Sequence, residues 1–157
     1  MVDLHTAGID ADGYGHWAVE VRDAGEFIGF VGLAQPSFEA AFTPCTEIGW
    51  RLARSAWGRG YATEAARATL NVAFGPVGLD EVLSWTFEGN LPSRAVMERL
   101  GMTRDPADDF DHPRLPEGER LRRHVLYRIR GSAADSRETT VGHRTGAASD
   151  LSTSPLG

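Results

Sequence analysis

The chain has 157 residues, 41% of them hydrophobic, a length and apolar content that suit one domain with a core of useful size. Its formal net charge is −6, which argues against general binding to nucleic acid or to an anionic membrane, since both call for a basic surface. The single cysteine, Cys45, excludes an intrachain disulfide and fits a reducing, cytoplasmic setting; no apolar run is long enough to cross a bilayer, and no basic-then-apolar leader follows Met1.

Residues 1–15 are rich in Gly and Asp, carry no sustained pattern, and read as a loose N-terminal arm. From His16 the run HWAVEVRD alternates, with Trp17, Val19 and Val21 on one face, which predicts a strand. A hairpin turn at Ala24-Gly25-Glu26 leads into a second strand over 27–33, whose near-continuous apolar character predicts cover on both faces. Gln35 to Thr46 is a loop whose two phenylalanines, Phe38 and Phe42, either line a substrate entrance or fold back on the core. Cys45 follows Pro44 at a strand start and reads as a small buried thiol rather than a nucleophile.

Glu47 to Leu52 is the third strand, and after it Trp57-Gly58-Arg59-Gly60-Tyr61-Ala62-Thr63 forms a glycine-rich turn. A helix then runs from Tyr61 or Ala62 to Phe74, with Ala62, Ala66, Leu70 and Ala73 on its inner stripe, and Gly75-Pro76 stops it. Two glycines and an alanine at the start of a helix leave several backbone N–H groups unobstructed, so the turn predicts an anion site, with Arg54 and Arg59 adding positive charge to the helix dipole. The stretch lacks the Gly-Lys-Ser/Thr ending of a nucleotide-hydrolase phosphate loop, and a tight turn with purely structural glycines is the competing reading.

Residues 79–87 supply another strand. Asn90 then caps a short helix that carries Pro92 in its first turn and Val96, Met97 and Leu100 on its apolar face, and Gly101 ends it. Met102-Thr103-Arg104 starts a short strand, residues 105–120 form an acidic loop, and residues 121–130 close with an alternating HVLYRI. Residues 131–157, almost without large apolar side chains, predict a disordered tail, so the domain is expected over 16–130. The cluster Asp108-Asp109-Phe110-Asp111-His112 fits no zinc spacing; it reads as a solvated acidic loop, or one that attracts a cationic acceptor, and no metal is expected.

The two segments WGRGYATEA and NLPSRAVMERLGM, in this order, resemble the GNAT superfamily of N-acetyltransferases, and within it the branch of the ribosomal-protein N-terminal acetyltransferases. The resemblance covers roughly His16 to Arg130 and implies an α/β (α+β) fold: a mixed, mostly antiparallel sheet with a splayed strand pair, flanked by helices. It implies acetyl-CoA as co-substrate and transfer of an acetyl group to a primary amine, on a small molecule or a protein N-terminus. The pyrophosphate would meet the amides of Trp57, Gly58, Arg59, Gly60, Tyr61, Ala62 and Thr63 beside Arg54, and the pantetheine would lie along the strand end Trp50-Arg51-Leu52 like an added strand. Asn90 is assigned a cofactor contact and Ser93 a hydrogen bond near the thioester sulfur, while both also suit plain helix capping.

An acceptor amine must lose a proton before it attacks, so a carboxylate is useful, and Glu47 is the candidate base, against the alternative of an exposed strand residue. Strand N–H groups near Trp50 or Arg51 are candidates for polarising the carbonyl. Many relatives place a tyrosine seven residues after the asparagine, where this chain has Met97; Ser93 is therefore the first choice for protonating the thiolate and Tyr127 the second. The family also places a first strand and two helices ahead of the hairpin, and residues 1–15 leave no room for them. The chain is thus expected to be N-terminally shortened, a miscalled start or a reduced module that associates with itself or a partner, with a homodimer among the possibilities. An acyl-CoA-binding or interaction protein that keeps the fold with impaired catalysis is the alternative function.

Overall fold

In the computed structural model, residues 1–9 and 13–132 are described. They form strands β1 (Val2–Ile9), β2 (Gly15–Val21), β3 (Glu26–Ala34) and β4 (Glu47–Leu52), helix α1 (Tyr61–Phe74), β5 (Glu81–Phe87), helix α2 (Leu91–Arg99), β6 (Thr103–Arg104), β7 (Phe110–Asp111) and β8 (Arg123–Arg130). All eight strands join one sheet in the order β1-β2-β3-β4-β5-β8-β6, with β7 also on β8. Every pairing is antiparallel except β4 with β5. This is the mixed, mostly antiparallel α/β sheet expected of the fold.

The expectation that fails is the N-terminal arm. Val2–Ile9 is a strand, paired antiparallel with β2 from Val2↔Val21 to Ile9↔Gly15 across a bulge, so the first strand is present and only five residues link it to the second. The sequence signal is a brief alternation, Val2-Asp3-Leu4-His5-Thr6, diluted by glycines; the ladder that makes it a strand comes from β2. The predicted tail lies outside the described residues from residue 133 onward.

Burial follows the two-residue period of the strands. Val19, Val31, Leu33 and Ile48 are fully buried and face α1, which packs on β3 and β4. Ala65, Ala66 and Ala73 are buried on the inner stripe of α1, and their small side chains let the helix approach the sheet closely. Helix α2 lies beside α1, with Val96 and Met97 buried.

The other face is covered less evenly. Over β5 and β8, Phe38 and Phe42 of the 35–46 loop fold back onto Trp85 and Phe110 in edge-on, tilted and stacked contacts. Over β2 and β3, cover by the described residues is incomplete: Phe27 is 64% exposed and Phe30 half-buried, so the two-sided burial expected of this strand is not met among them.

Strands β4 and β5 touch as a parallel pair only at Glu47↔Leu83. Beside that point the Leu83 N–H donates to the Thr46 carbonyl at 2.9 Å, and the buried Ser84 hydroxyl donates to the Ile48 carbonyl at 2.9 Å. Beyond these bonds the two strands diverge toward Leu52 and Phe87, opening the sheet in a V.

Candidate active site

The open end of the V continues into a cleft of about 1120 Å³ between the end of β4, the glycine turn, α1 and α2. On the turn side, Gly58 (φ +73°) and Gly60 (φ +81°) hold left-handed conformations, and Gly60 is the N-cap of α1 with no side chain bonded across it. The Glu64 N–H returns to the Gly60 carbonyl at 3.0 Å; among the described residues, the N–H groups from Gly58 to Thr63 meet no acceptor. A Cβ placed on Gly58 or Gly60 would meet nothing within 4 Å, so the turn is open around both glycines. A row of unsatisfied N–H groups at a helix N-terminus is suited to an anion.

Of the sequence-predicted residues, Trp50, Arg51, Leu52, Trp57, Gly58, Gly60, Tyr61, Ala62, Thr63, Asn90 and Ser93 all line this cleft. Trp57, 55% exposed, donates its indole N–H to the Leu52 carbonyl at 2.9 Å and ties the turn to the end of β4. Asn90 serves two purposes: its Oδ1 accepts the Ser93 N–H at 3.3 Å as the α2 cap, and its Nδ2 donates to Thr86 Oγ1 at 2.8 Å, holding the helix start against β5. The Ser93 hydroxyl makes no hydrogen bond among the described residues. Arg54 and Arg59 are exposed and stand outside the cleft lining.

Sequence reasoning missed Arg67 and Arg99, which bring positive charge to the cleft from α1 and α2. Arg67 lies four residues beyond the predicted Thr63, so helical spacing could have found it; Arg99 has no predicted site residue three or four positions before it. Arg67 donates to the Arg99 carbonyl at 3.1 Å and joins the two helices there. Glu64 also lines the cleft, but its Oε1 accepts the Val2 N–H at 2.8 Å, which engages that carboxylate with β1.

Glu47 does not line the large cleft. Ile48 packs in the core against α1, so Glu47, Gly49 and Arg51 project from the opposite face of β4, into a hollow of about 190 Å³ shared with His16, Phe30 and Gly32. Trp50 and Arg51 line both spaces, and β4 is the partition between them. Burial pushes the Glu47 carboxyl up to about 7 from its ordinary 4.5, and its oxygens have no hydrogen-bond partner among the described residues. A carboxyl half-ionised at neutral pH suits proton transfer.

Two other groups drop out of the chemistry. Tyr127 is 3% exposed, donates to Glu98 Oε1 at 3.0 Å and receives Arg94 Nε at 3.4 Å; it fastens α2 to β8 and lies away from the cleft. The Cys45 thiol is pushed up to about 11, first by burial and then by the Glu47 charge, so it is protonated at neutral pH. In the acidic loop, Asp109 pairs with Arg104, Asp108 with Arg128, and Asp111 with Arg122 and Arg123, so these three carboxylates are already committed to arginines.

A parallel strand pair opening onto a helix-start anion cradle defines the class: this is an acetyltransferase fold. The chain belongs to the acetyltransferase (GNAT) domain family, whose model matches residues 3–103. It is 38% identical over 130 residues to the FsC-acetyl coenzyme A-N(2)-transacetylase of Aspergillus fumigatus, a match covering 75% of this chain and 54% of that one. Among solved structures it is similar to an acetyltransferase from Agrobacterium tumefaciens (33% identity, TM-score 0.57, covering 74% of this chain and 60% of the other). It is also similar to a GNAT-family acetyltransferase from Bacillus anthracis (27%, TM-score 0.60, covering 74% and 66%). The chain spans about half the length of the curated relatives it matches.

Proposed function

We propose that the protein transfers an acetyl group from acetyl-CoA to a primary amine, on a small molecule or a protein N-terminus. The observation that carries this reading is the row of unbonded N–H groups from Gly58 to Thr63, at one side of a cleft that has Asn90 and Ser93 at the other. The fit is chemical as well as spatial: the cradle supplies N–H donors and a helix dipole for a pyrophosphate, and Arg67 and Arg99 add charge for a further phosphate. The Aspergillus relative is named for acetyl coenzyme A-dependent N(2) transfer, which agrees with an amine acceptor. The likeness of WGRGYATEA to the ribosomal-protein branch is the reason a protein N-terminus stands beside small amines.

Under this reading each residue has a definite task. Glu47 removes a proton from the acceptor ammonium, directly or through water, and passes it to solvent. The freed nitrogen bonds to the thioester carbon as the carbon–sulfur bond breaks, while strand N–H groups near Trp50 and Arg51 receive the carbonyl oxygen. The second proton, lost by the nitrogen as the amide forms, reaches the departing thiolate through the Ser93 hydroxyl, which gives its own proton to sulfur and takes up the one from nitrogen. Acceptor and donor reach the reacting centre from opposite faces of β4, so juxtaposition across the strand contributes to the rate.

The reading includes a cytoplasmic setting, where acetyl-CoA and free thiols both persist; no helix among the described residues is long and apolar enough to cross a membrane. It also includes a homodimer, in which a second copy laid on the open β2–β3 face, near Phe27, would wall the acceptor side. Calorimetry with acetyl-CoA, followed by thiol release over a panel of amines and peptide N-termini, tests the assignment. Saturable binding with acceptor-dependent thiol release is expected. Binding without turnover on any acceptor would make the chain an acyl-CoA-binding protein, and absence of binding would remove both readings.

A further inference from the structure

Resting on that reading, the hollow behind β4 says something about the acceptor itself. Its floor is made of two glycines, Gly32 and Gly49, which pair across β3 and β4. A Cβ on Gly32 would come within 2.6 Å of His16 Cδ2; the glycine is what lets the imidazole lie down on the sheet, edge-on to Phe30 with ring centroids 5.4 Å apart. The walls are therefore His16 and Phe30 on one side and β4 on the other.

Two opposite charges share this groove without meeting. Glu47 and Arg51 stand on the same face of β4, four residues and so about 13 Å apart along the strand, with Gly49 between them. No ion pair joins them, and neither has another hydrogen-bonded or ion-paired side-chain partner among the described residues. Elsewhere the fold pairs such groups readily: Arg104, Arg122, Arg123, Arg128 and Arg130 all engage carboxylates. A carboxylate and a guanidinium held apart over a bare glycine floor, beside the wall that also lines the large cleft, match a ligand that carries both charges itself.

We infer that the acceptor is an amino-acid-type amine, its nitrogen at Glu47 and its own carboxylate on the Arg51 guanidinium, lying across Gly49 and Gly32. Arginine suits this role because its planar donors take a carboxylate two at a time, and a free guanidinium in an open groove loses little solvation until the ligand arrives. Phe30 and the His16 ring then cover the aliphatic part of the molecule. A bare diamine or alkylamine would satisfy Glu47 and leave Arg51 without a counterion.

The test compares pairs of acceptors that differ only in the carboxyl group, ornithine against putrescine, lysine against cadaverine, γ-aminobutyrate against propylamine, at saturating acetyl-CoA. The acid-bearing member is expected to show at least about tenfold higher kcat/KM in one or more pairs, through KM. Arg51→Met should bring that ratio close to one, and Arg51→Lys should restore part of it; because both members of a pair are measured on the same variant, any change in acetyl-CoA handling cancels. Gly49→Val is a second arm: the Gly49 backbone is not left-handed, and an added Cβ meets only Glu47 Oε1 at 4.0 Å, so the strand should accept valine while the groove floor rises. It should raise acceptor KM and leave acetyl-CoA affinity, read by calorimetry, where it was. Equal turnover of acids and their decarboxylated partners, or a preference that survives Arg51→Met, would overturn the acceptor class while leaving the acetyltransferase reading intact. Loss of acetyl-CoA binding in the wild-type protein would take both.

Discussion

Glu47 shows how far one side chain's environment departs from what its position in a strand suggests. Its carboxyl is raised to about 7 by burial, so folding favours the protonated form. The stability this preference contributes is full below the unfolded value of 4.5 and is lost as pH rises through about 7. Glu47→Gln, which carries no charge, should therefore be more stable than the wild type above pH 7, by about 2–3 kcal/mol at most, and equal to it near pH 4. Denaturant titrations at both pH values check this. The same variant should lose about 10²–10⁴-fold in kcat/KM, together with the limb of the pH profile that rises toward pH 7, while acetyl-CoA affinity holds. An unchanged rate would end the role of Glu47 as base. A site that is less stable for being functional is the expected trade.

Among the elements, the strand-turn-helix unit from β4 to α1 and the β4–β5 junction each carry one separable feature. Gly60→Val forces a branched side chain into φ +81° and puts bulk into the lining of the cleft beside the unbonded amides. Acetyl-CoA affinity should fall more than tenfold by calorimetry. Gly78→Val is the control, since Gly78 has φ +74° and equal room but lies outside the cleft; it should take similar backbone strain, about 1–2 kcal/mol, with affinity unchanged. At the junction, Ser84→Ala removes the buried hydroxyl bonded to the Ile48 carbonyl where the strands part. The expected cost is about 1–2 kcal/mol in chemical denaturation, and a weaker grip on acetyl-CoA should accompany it as the V loses its hinge bond.

For the whole molecule, the decisive feature is asymmetry of cover. Among the described residues, helices α1 and α2 pack on one face; on the other, the 35–46 loop shields β5 and β8 and leaves the β2–β3 region open, with Phe27 64% exposed. Only five residues separate β1 from β2. A homodimer closing this face would bury roughly 1,200–2,000 Å² in all. Sedimentation equilibrium should show a concentration-dependent dimer, and Phe27→Ser should shift it toward monomer. A clean monomer at high concentration, with no binding of an apolar dye, would rule out self-association through the open face.

What the sequence determined by itself is local. Strand β4 was readable residue for residue over Glu47 to Leu52, α1 ends where Gly75-Pro76 follows Phe74, and Asn90 caps α2 with its own side chain. Each rests on a rule that acts within a turn or two of chain: glycine's access to positive φ, a cap that bonds three residues on, a repeat that sorts faces. Only the tertiary structure decided the rest, because each remaining feature depends on a partner distant in sequence. Val2–Ile9 is a strand because β2 offers it a ladder. Glu98 and Arg94 turn Tyr127 from a candidate acid into a fastening. The parting of β4 from β5 after a single bridge, together with the core that holds Ile48 against α1, places Glu47 and Ser93 in separate spaces that meet at β4. Non-local pairing and burial set on which side of β4 each reacting group stands, and spacing along the chain carries no record of that.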